Sequence, residues 1–274
     1  MSQYKIPGLE LRDATDSDMT HLAGMTSLES LSIRGDGITD AGLEHLKGLT
    51  GLRSLGLDGI NQVTDAGIGH LKDLTALQEL GLLATQITDA GLARLVKDLN
   101  ALRGLSLTGT RITDSGFAHL TSLTKLEDLG LGWTPITSRG LACLKDLHTL
   151  RRLDLRGPQI TDAGLVHLKG LAGLQELRLD DTQITDAGLE HLKTLTGLKW
   201  LDLSGTQITD AGLAHLKTLT GLKDLGLPTQ ITDAGLVHLK GLIELEGLYC
   251  DGTGVTSAGM QQLRQSLPKL RMEE

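Results

Sequence analysis

The segment LKWLDLSGTQITDAGLAHLKTLTG, Leu198 to Gly221, recurs with small changes along the chain, and this recurrence narrows the folds open to it. Copies begin at Leu28, Leu52, Leu77, Leu102, Leu126, Leu150, Leu174, Leu198, Leu222 and Leu245, a period of 24 residues with single-residue additions or deletions. Self-similarity at such a period marks a stacked array, in which each unit is too small to bury its own apolar face and is covered by its neighbours. Residues 28–269 therefore read as ten repeats. Residues 1–27 read as a worn capping copy, because Ala14, Thr15, Asp16 and Met19 stand where Ile38, Thr39, Asp40 and Leu43 stand in the next. Residues 270–274 read as a C-terminal stub. An unbroken period leaves no linker, so 1–274 is expected to form a single domain.

Each copy carries a strand and then a helix. In LKWLDL the inward Leu201 and Leu203 alternate with polar residues, the pattern of a strand with one buried face. After the turn SGTQ, Ile208 points back inside. Thr209 is placed to cap a helix, Asp210 to meet the positive end of its dipole, and Lys217 the negative end. Leu213, Leu216 and Leu219 keep a helical apolar spacing.

The spacing LxxLxLxxT followed by ITDAGL resembles the leucine-rich repeat across essentially the whole chain, in the bacterial ITDAGL form. That form is similar to the cysteine-containing, ribonuclease-inhibitor-like class found in substrate receptors of F-box ubiquitin ligases. Thr85, Thr110, Thr134, Thr182, Thr206, Thr229 and Thr253 stand where that class tends to cysteine. The resemblance implies an α/β, right-handed solenoid, a curved horseshoe with parallel strands on the concave face and short helices on the convex face. Spacing points the same way: strands about 4.8 Å apart inside and helices about 8–10 Å apart outside force each repeat to turn.

Composition limits the functions. Aromatics are only 2% of the 274 residues, as suits a core of stacked leucines. A net charge of −8 speaks against nucleic acid, which selects clustered Lys and Arg without matching acids. No stretch approaches the twenty apolar residues of a membrane span, and the opening MSQYKIPGLELRD has no signal-peptide core. A soluble, cytoplasmic protein is expected, with a translocated product left open. Cys143 lies on a helix and Cys250 at an inward strand position five repeats away, roughly 24 Å or more at 4.8 Å per strand. A disulfide tolerates a Cα separation below about 7 Å, so the two are expected to stay thiols.

Two columns of the repeat invite chemical readings. His21, His45, His70, His119, His167, His191, His215 and His238 share one helix position. Neighbouring helices sit about 8–10 Å apart, whereas two imidazoles on one zinc must each lie about 2.0–2.1 Å from it. A structural role is expected, with no metal and no cofactor; charging these imidazoles between pH 7 and 5 is expected to lower stability. The second column is helical glycine: Gly42, Gly67, Gly91, Gly116, Gly140, Gly164, Gly188, Gly212, Gly235 and Gly259. Each costs about 0.8–1.0 kcal/mol against alanine, so a close approach by an adjacent segment is expected to require them.

The outward strand residues carry what is specific to this chain. From Leu126 onward they include Trp133, Arg152, Asp154, Arg156, Arg178, Asp180, Trp200, Asp202 and Asp224, with Tyr249 in the last copy. Asp154, Arg178 and Asp202 occupy one position in successive copies. A self-satisfied charge ladder is one reading, with sideways pairs that also join Arg156 to Asp180 and Arg152 to Glu176. Two outward tryptophans beside arginines favour the other reading, a binding hot spot for a protein or peptide. The expected function is a non-enzymatic interaction scaffold using its concave strand face, without nucleic acid or membrane. It is expected as a monomer, with the C-terminal end as the place for a dimer. The alternative is the substrate-recognition part of a ubiquitin-ligase-like or injected bacterial effector.

Overall fold

In the computed structural model residues 8–271 are described; the opening seven residues and the last three of the expected stub, 272–274, lie outside the described residues. The chain divides into two compact units at Pro135 and Ile136. In the first, strands β1 (Leu9–Arg12), β2 (Ser30–Arg34), β3 (Ser54–Gly56), β4 (Glu79–Gly81), β5 (Gly104–Ser106) and β6 (Asp128–Gly130) each pair in parallel with the next. The register sets Leu31, Leu55, Leu80, Leu105 and Leu129 side by side. The helical returns are α1 (Asp16–Met19), α2 (Asp40–Leu43), α3 (Asp65–Ile68), α4 (Asp89–Asp98) and α5 (Asp114–Phe117).

The second unit repeats the plan. Strands β7 (Arg152–Asp154), β8 (Glu176–Arg178), β9 (Trp200–Asp202), β10 (Asp224–Gly226) and β11 (Gly247–Tyr249) form a parallel row in chain order, with Leu153, Leu177, Leu201, Leu225 and Leu248 aligned. Helices α6 (Asp162–Leu165), α7 (Asp186–Leu189), α8 (Asp233–Leu236) and α9 (Ser257–Ser266) alternate with them. Each repeat is an α/β unit of the expected kind. One copy is enough to show the core: Leu153, Leu155, Ile160, Leu165, Leu168, Leu171 and Leu174 are all buried, and the copy that follows sets Leu177 beside Leu153.

Most returns are shorter and tighter than the sequence suggests. A single α turn passes into a 3₁₀ turn, and Gly140–Asp146 and Gly212–Thr218 are 3₁₀ throughout. A 3₁₀ segment rises about 2.0 Å per residue against 1.5 Å, so fewer residues carry the chain back to the next strand. Capping follows suit. The hydroxyls of Thr39, Thr64, Thr88, Thr113, Thr185, Thr232 and Thr256 accept the backbone N–H two or three residues on. Thr209, ahead of a return that becomes helical only at Gly212, uses its hydroxyl to donate to Asp186 of the preceding repeat.

That bond belongs to a ladder. Asp16, Asp40, Asp65, Asp89, Asp162, Asp186, Asp210 and Asp233 each accept the backbone N–H and the hydroxyl of the threonine one repeat later, at 2.5–2.8 Å. Asp210, expected to serve its own helix dipole, thus also fastens the next repeat. The glycine column has its reason here: a methyl on Gly212 would lie 2.1 Å from Oδ1 of Asp186, and one on Gly188 2.2 Å from Oδ1 of Asp162. The close approach is that of a carboxylate. Where Ser138 replaces the aspartate, its hydroxyl takes the N–H of Thr161 at 2.9 Å.

The threonine after the strand is a second satisfied polar position. Thr85, Thr110, Thr134, Thr182 and Thr206 are buried, and each hydroxyl donates to the carbonyl three residues back at 2.6–2.7 Å. Thr229 is exposed, because its copy is one residue short and Pro228 takes the buried place. Cys250 follows β11 at a half-buried position, and burial pushes its thiol above the ordinary range. At the C-terminal end, Gln261, Gln262 and Gln265 are exposed on α9. The stub begins as a further rung: Leu270 is buried, and the N–H of Arg271 reaches the carbonyl of Glu246 at 2.8 Å.

Candidate functional site

The inward leucines fix which strand residues face away from the core. Within the second unit those are Arg152 and Asp154 on β7, Glu176 and Arg178 on β8, Trp200 and Asp202 on β9, Asp224 on β10 and Tyr249 on β11. Arg156 and Asp180 follow in the turns after β7 and β8. One unit therefore gathers nine of the ten expected residues on its strand side. The tenth, Trp133, belongs to the first unit and sits in the turn after β6, not on a strand. It is half exposed, with φ of 56°, at a repeat position held at positive φ by Gly35, Gly59, Gly109, Gly157, Gly205 and Gly252 and also by Ala84 and Asp181. A bulky side chain there costs about 1–2 kcal/mol of backbone strain.

At the ends of β7 and β8 the ion pair lies within one repeat, whereas Lys223 reaches across to Glu246 of the next at 2.9 Å. Arg156 turns back on Asp154 of its own strand, with Nε at 3.0 and 3.1 Å from the two oxygens and Nη2 at 2.7 Å from Oδ2. Asp154 also accepts the backbone N–H of Arg156 at 3.0 Å. With Asp154 engaged, Arg178 lies over the ring of Trp200, 5.0 Å from its centroid, in place of the sideways bridge between Asp154 and Asp202 that the ladder reading expects. Sideways register does bring Asp154, Arg178 and Asp202 into line.

Asp180 is the odd member. Its Oδ1 is buried and has no hydrogen-bond partner. Burial first, then the negative charge of Asp202, push its carboxyl up to about 6, although Arg156 pulls the other way. Asp202 accepts the N–H of Ser204 at 3.0 Å and leans over β10, where a methyl on Gly226 would come within 2.3 Å of its Oδ1. Asp224 leans over Gly247 in the same way, at 2.4 Å. Tyr249, 40% exposed, closes this side of the face.

These glycines belong to the candidate face and are not among the residues expected from the sequence. The signal was an outward glycine one repeat after an outward acid. The same relation occurs in the first unit, where Asp58 lies against Gly81 and Glu79 against Gly104. Its strand face, lined by Ser54, Gly56, Asp58, Glu79 and Ser106 among others, holds a hollow of about 240 Å³. These copies carry no weight in the sequence analysis because their outward residues are mostly small.

On the helical side, six of the eight aligned histidines are half-buried, while His21 and His119 are exposed. Nδ1 of His191 is buried without a hydrogen-bond partner. Among the described residues no group of three or more His, Cys, Asp or Glu has the geometry to hold a metal ion. No helix among them is long and apolar enough to cross a membrane.

The leucine rich repeat family matches residues 148–208, the copies that contain β7 and β8 and reach past β9. These are leucine-rich repeats. Solved leucine-rich-repeat structures align over nearly the full length. An internalin (inlF) from Listeria monocytogenes is 24% identical with a TM-score of 0.66, covering 97% of this chain and 86% of that one. An internalin C2 from the same organism is 25% identical with a TM-score of 0.54, over 86% and 83%. A leucine-rich-repeat protein of Leptospira interrogans is 19% identical with a TM-score of 0.57, over 93% and 68%. No match is found among curated protein sequences. Leucine-rich-repeat arrays present long, continuous surfaces that serve to bind other proteins.

Proposed function

We propose that this leucine-rich-repeat protein is a non-enzymatic scaffold that binds a protein or peptide through the strand face of its second unit. The observation that carries the reading is Trp200 with Arg178 over it, on a face whose other outward residues are charged or glycine apart from Tyr249. Tryptophan and arginine dominate interface energetics because they combine a large contact area with directional donors. Gly226 and Gly247 make room for the carboxylates of Asp202 and Asp224, which lie across them and give the face beside Trp200 an acidic floor. Trp133 is a half-exposed aromatic in the first unit, of the residue type that dominates interfaces.

The test uses the full chain as bait with Trp200→Ala and Arg178→Ala together. Partner capture is expected to be lost. The circular dichroism melt should move by no more than the loss of one exposed cation–ring contact, about 0.5–1 kcal/mol. Capture that survives the double change places the binding surface elsewhere.

A further inference from the structure

On the helical side of the first unit, one return departs from the repeat plan. Leu95 and Leu99 are four residues apart, where Leu71 and Leu74 before them and Leu120 and Leu123 after them are three apart. A spacing of four keeps apolar residues on one face of an α-helix, and a spacing of three suits a 3₁₀ turn. Accordingly α4 runs as ten α-helical residues, while α3 and α5 pass into 3₁₀ after a single turn. Between α4 and the 3₁₀ turn Gly69–Leu71 lies a hollow of about 200 Å³. Its floor is apolar, built from the buried leucines 71, 95 and 99 with Ile68. Part of its wall is missing: Gly69 stands where neighbouring copies carry Glu44 and Ala93, and a methyl placed on it would meet nothing within 4 Å.

The rim is basic in a chain whose net charge is −8. Lys72, Arg94 and Lys97 line it, all exposed, with Asp98 as the one carboxylate among the lining residues. In two other copies the lysine equivalent to Lys72 is neutralised three residues back, Lys47 by Glu44 and Lys193 by Glu190, each at 2.9 Å. Gly69 removes that partner, so the residue that opens the wall also leaves the ammonium of Lys72 unmatched. Lys97 suits the negative end of α4. Arg94 has no such role: it holds the place that is histidine in eight copies. The other carboxylates of these two returns do not line the hollow; Asp65 and Asp89 hold Thr88 and Thr113, and Asp73 follows Lys72 outside the lining.

Size and charge together define an occupant. Small-molecule pockets run to about 300–1,000 Å³, which this hollow does not reach. An apolar cavity of about 150 Å³ accepts a benzene ring, so the space admits one large apolar side chain. We infer that this hollow is a second docking site, separate from the strand face, that takes a phenylalanine or leucine from an acidic segment of a partner protein. Aspartates or glutamates flanking that side chain lie against Lys72, Arg94 and Lys97. The apolar anchor supplies affinity, and the basic rim selects the sequence around it.

The experiment selects a random dodecapeptide library on the full chain and counter-selects it on the Gly69→Leu/Arg94→Glu variant, which keeps only peptides that need the hollow. The survivors are expected to share a phenylalanine or leucine flanked by aspartate or glutamate, and to bind more weakly as salt is raised. Each should lose at least about tenfold in affinity on Gly69→Leu alone and on Arg94→Glu alone, yet bind Trp200→Ala/Arg178→Ala as tightly as wild type. The leucine enters open space and Arg94 is exposed, so both single variants are expected to keep the wild-type melt. Should Gly69→Leu fold poorly, Arg94→Glu decides by itself. An empty counter-selection, survivors without an acidic flank, or survivors indifferent to the single variants overturn the inference and leave the strand-face reading standing.

Discussion

Asp186 holds Thr209 of the following repeat at two points: Oδ1 accepts its backbone N–H at 2.8 Å, and Oδ2 accepts its hydroxyl at 2.6 Å. A carboxylate that accepts two donors from the next unit is a joint between repeats, which a residue serving only its own helix would not be. The same pair of bonds from Thr256 holds the carboxyl of Asp233 below the ordinary carboxylate range.

Asp186→Ala is expected to destabilise the protein by about 1–2 kcal/mol, the worth of charge-assisted bonds at a partly solvated site. Asp186→Asn should cost less, because its amide oxygen still accepts the N–H of Thr209. Urea midpoints of the two variants check the order; equal losses would reduce the carboxylate to a space-filler.

Gly212→Ala tests the other half of the joint. Alanine is the better helix former by about 0.8–1.0 kcal/mol, yet its methyl would lie 2.1 Å from Oδ1 of a carboxylate that two hydrogen bonds hold in place. The substitution is expected to destabilise by about 1–3 kcal/mol. In an Asp186→Ala background most of that cost should vanish, giving a large coupling in a double-mutant cycle. Additive losses would mean that the glycine answers to something other than Asp186.

This joint marks where sequence reading stopped. The strands, the inward leucines and the threonine caps follow from local pattern, since alternation and capping act within a few residues. That Asp186 meets Thr209 and Gly212, 23 and 26 residues on, depends on stacking, and no single copy contains it. The candidate face shows the same division. Register made the alignment of Asp154, Arg178 and Asp202 legible. The choice of Arg156 for its own strand's Asp154, and of Arg178 for Trp200, is settled by side-chain reach that the repeat period does not encode. Trp133 was misplaced onto a strand for a related reason: its copy ends the strand at Gly130 and turns before the tryptophan.

Thr182 offers a test of the buried polar column. Its hydroxyl, wholly buried, donates to the carbonyl of Leu179 at 2.6 Å. Thr182→Val keeps the shape and removes the donor, so a loss of about 1–2 kcal/mol is expected. Thr182→Cys should lose less than valine, because a thiol retains a weak donor and packs as a small hydrophobe. Thermal melts of the pair decide it; valine at least as stable as cysteine would deny the hydroxyl its role.

Asp180 gives the pH prediction. Its folded-state carboxyl keeps a proton up to about 6, while the ordinary value is 3.8. Between those values the folded chain binds more protons than the unfolded one, so this group's contribution to stability falls as pH rises through the window. The full cost of ionising it is present above about pH 6 and absent below about 3.8. Because the side chain is only partly buried, solvent screening reduces that cost to about 1 kcal/mol. Asp180→Asn carries no such charge and is expected to be about 1 kcal/mol more stable than wild type at pH 7.5, with the difference closing by pH 4. Any loss of stability from charging the aligned histidines is common to both proteins and cancels in the comparison. Urea unfolding of the two at pH 7.5, 6 and 4 reads the difference directly. A constant offset, or an asparagine variant weaker at pH 7.5, would mean that Asp180 is better matched by its neighbours than its orphaned oxygen indicates.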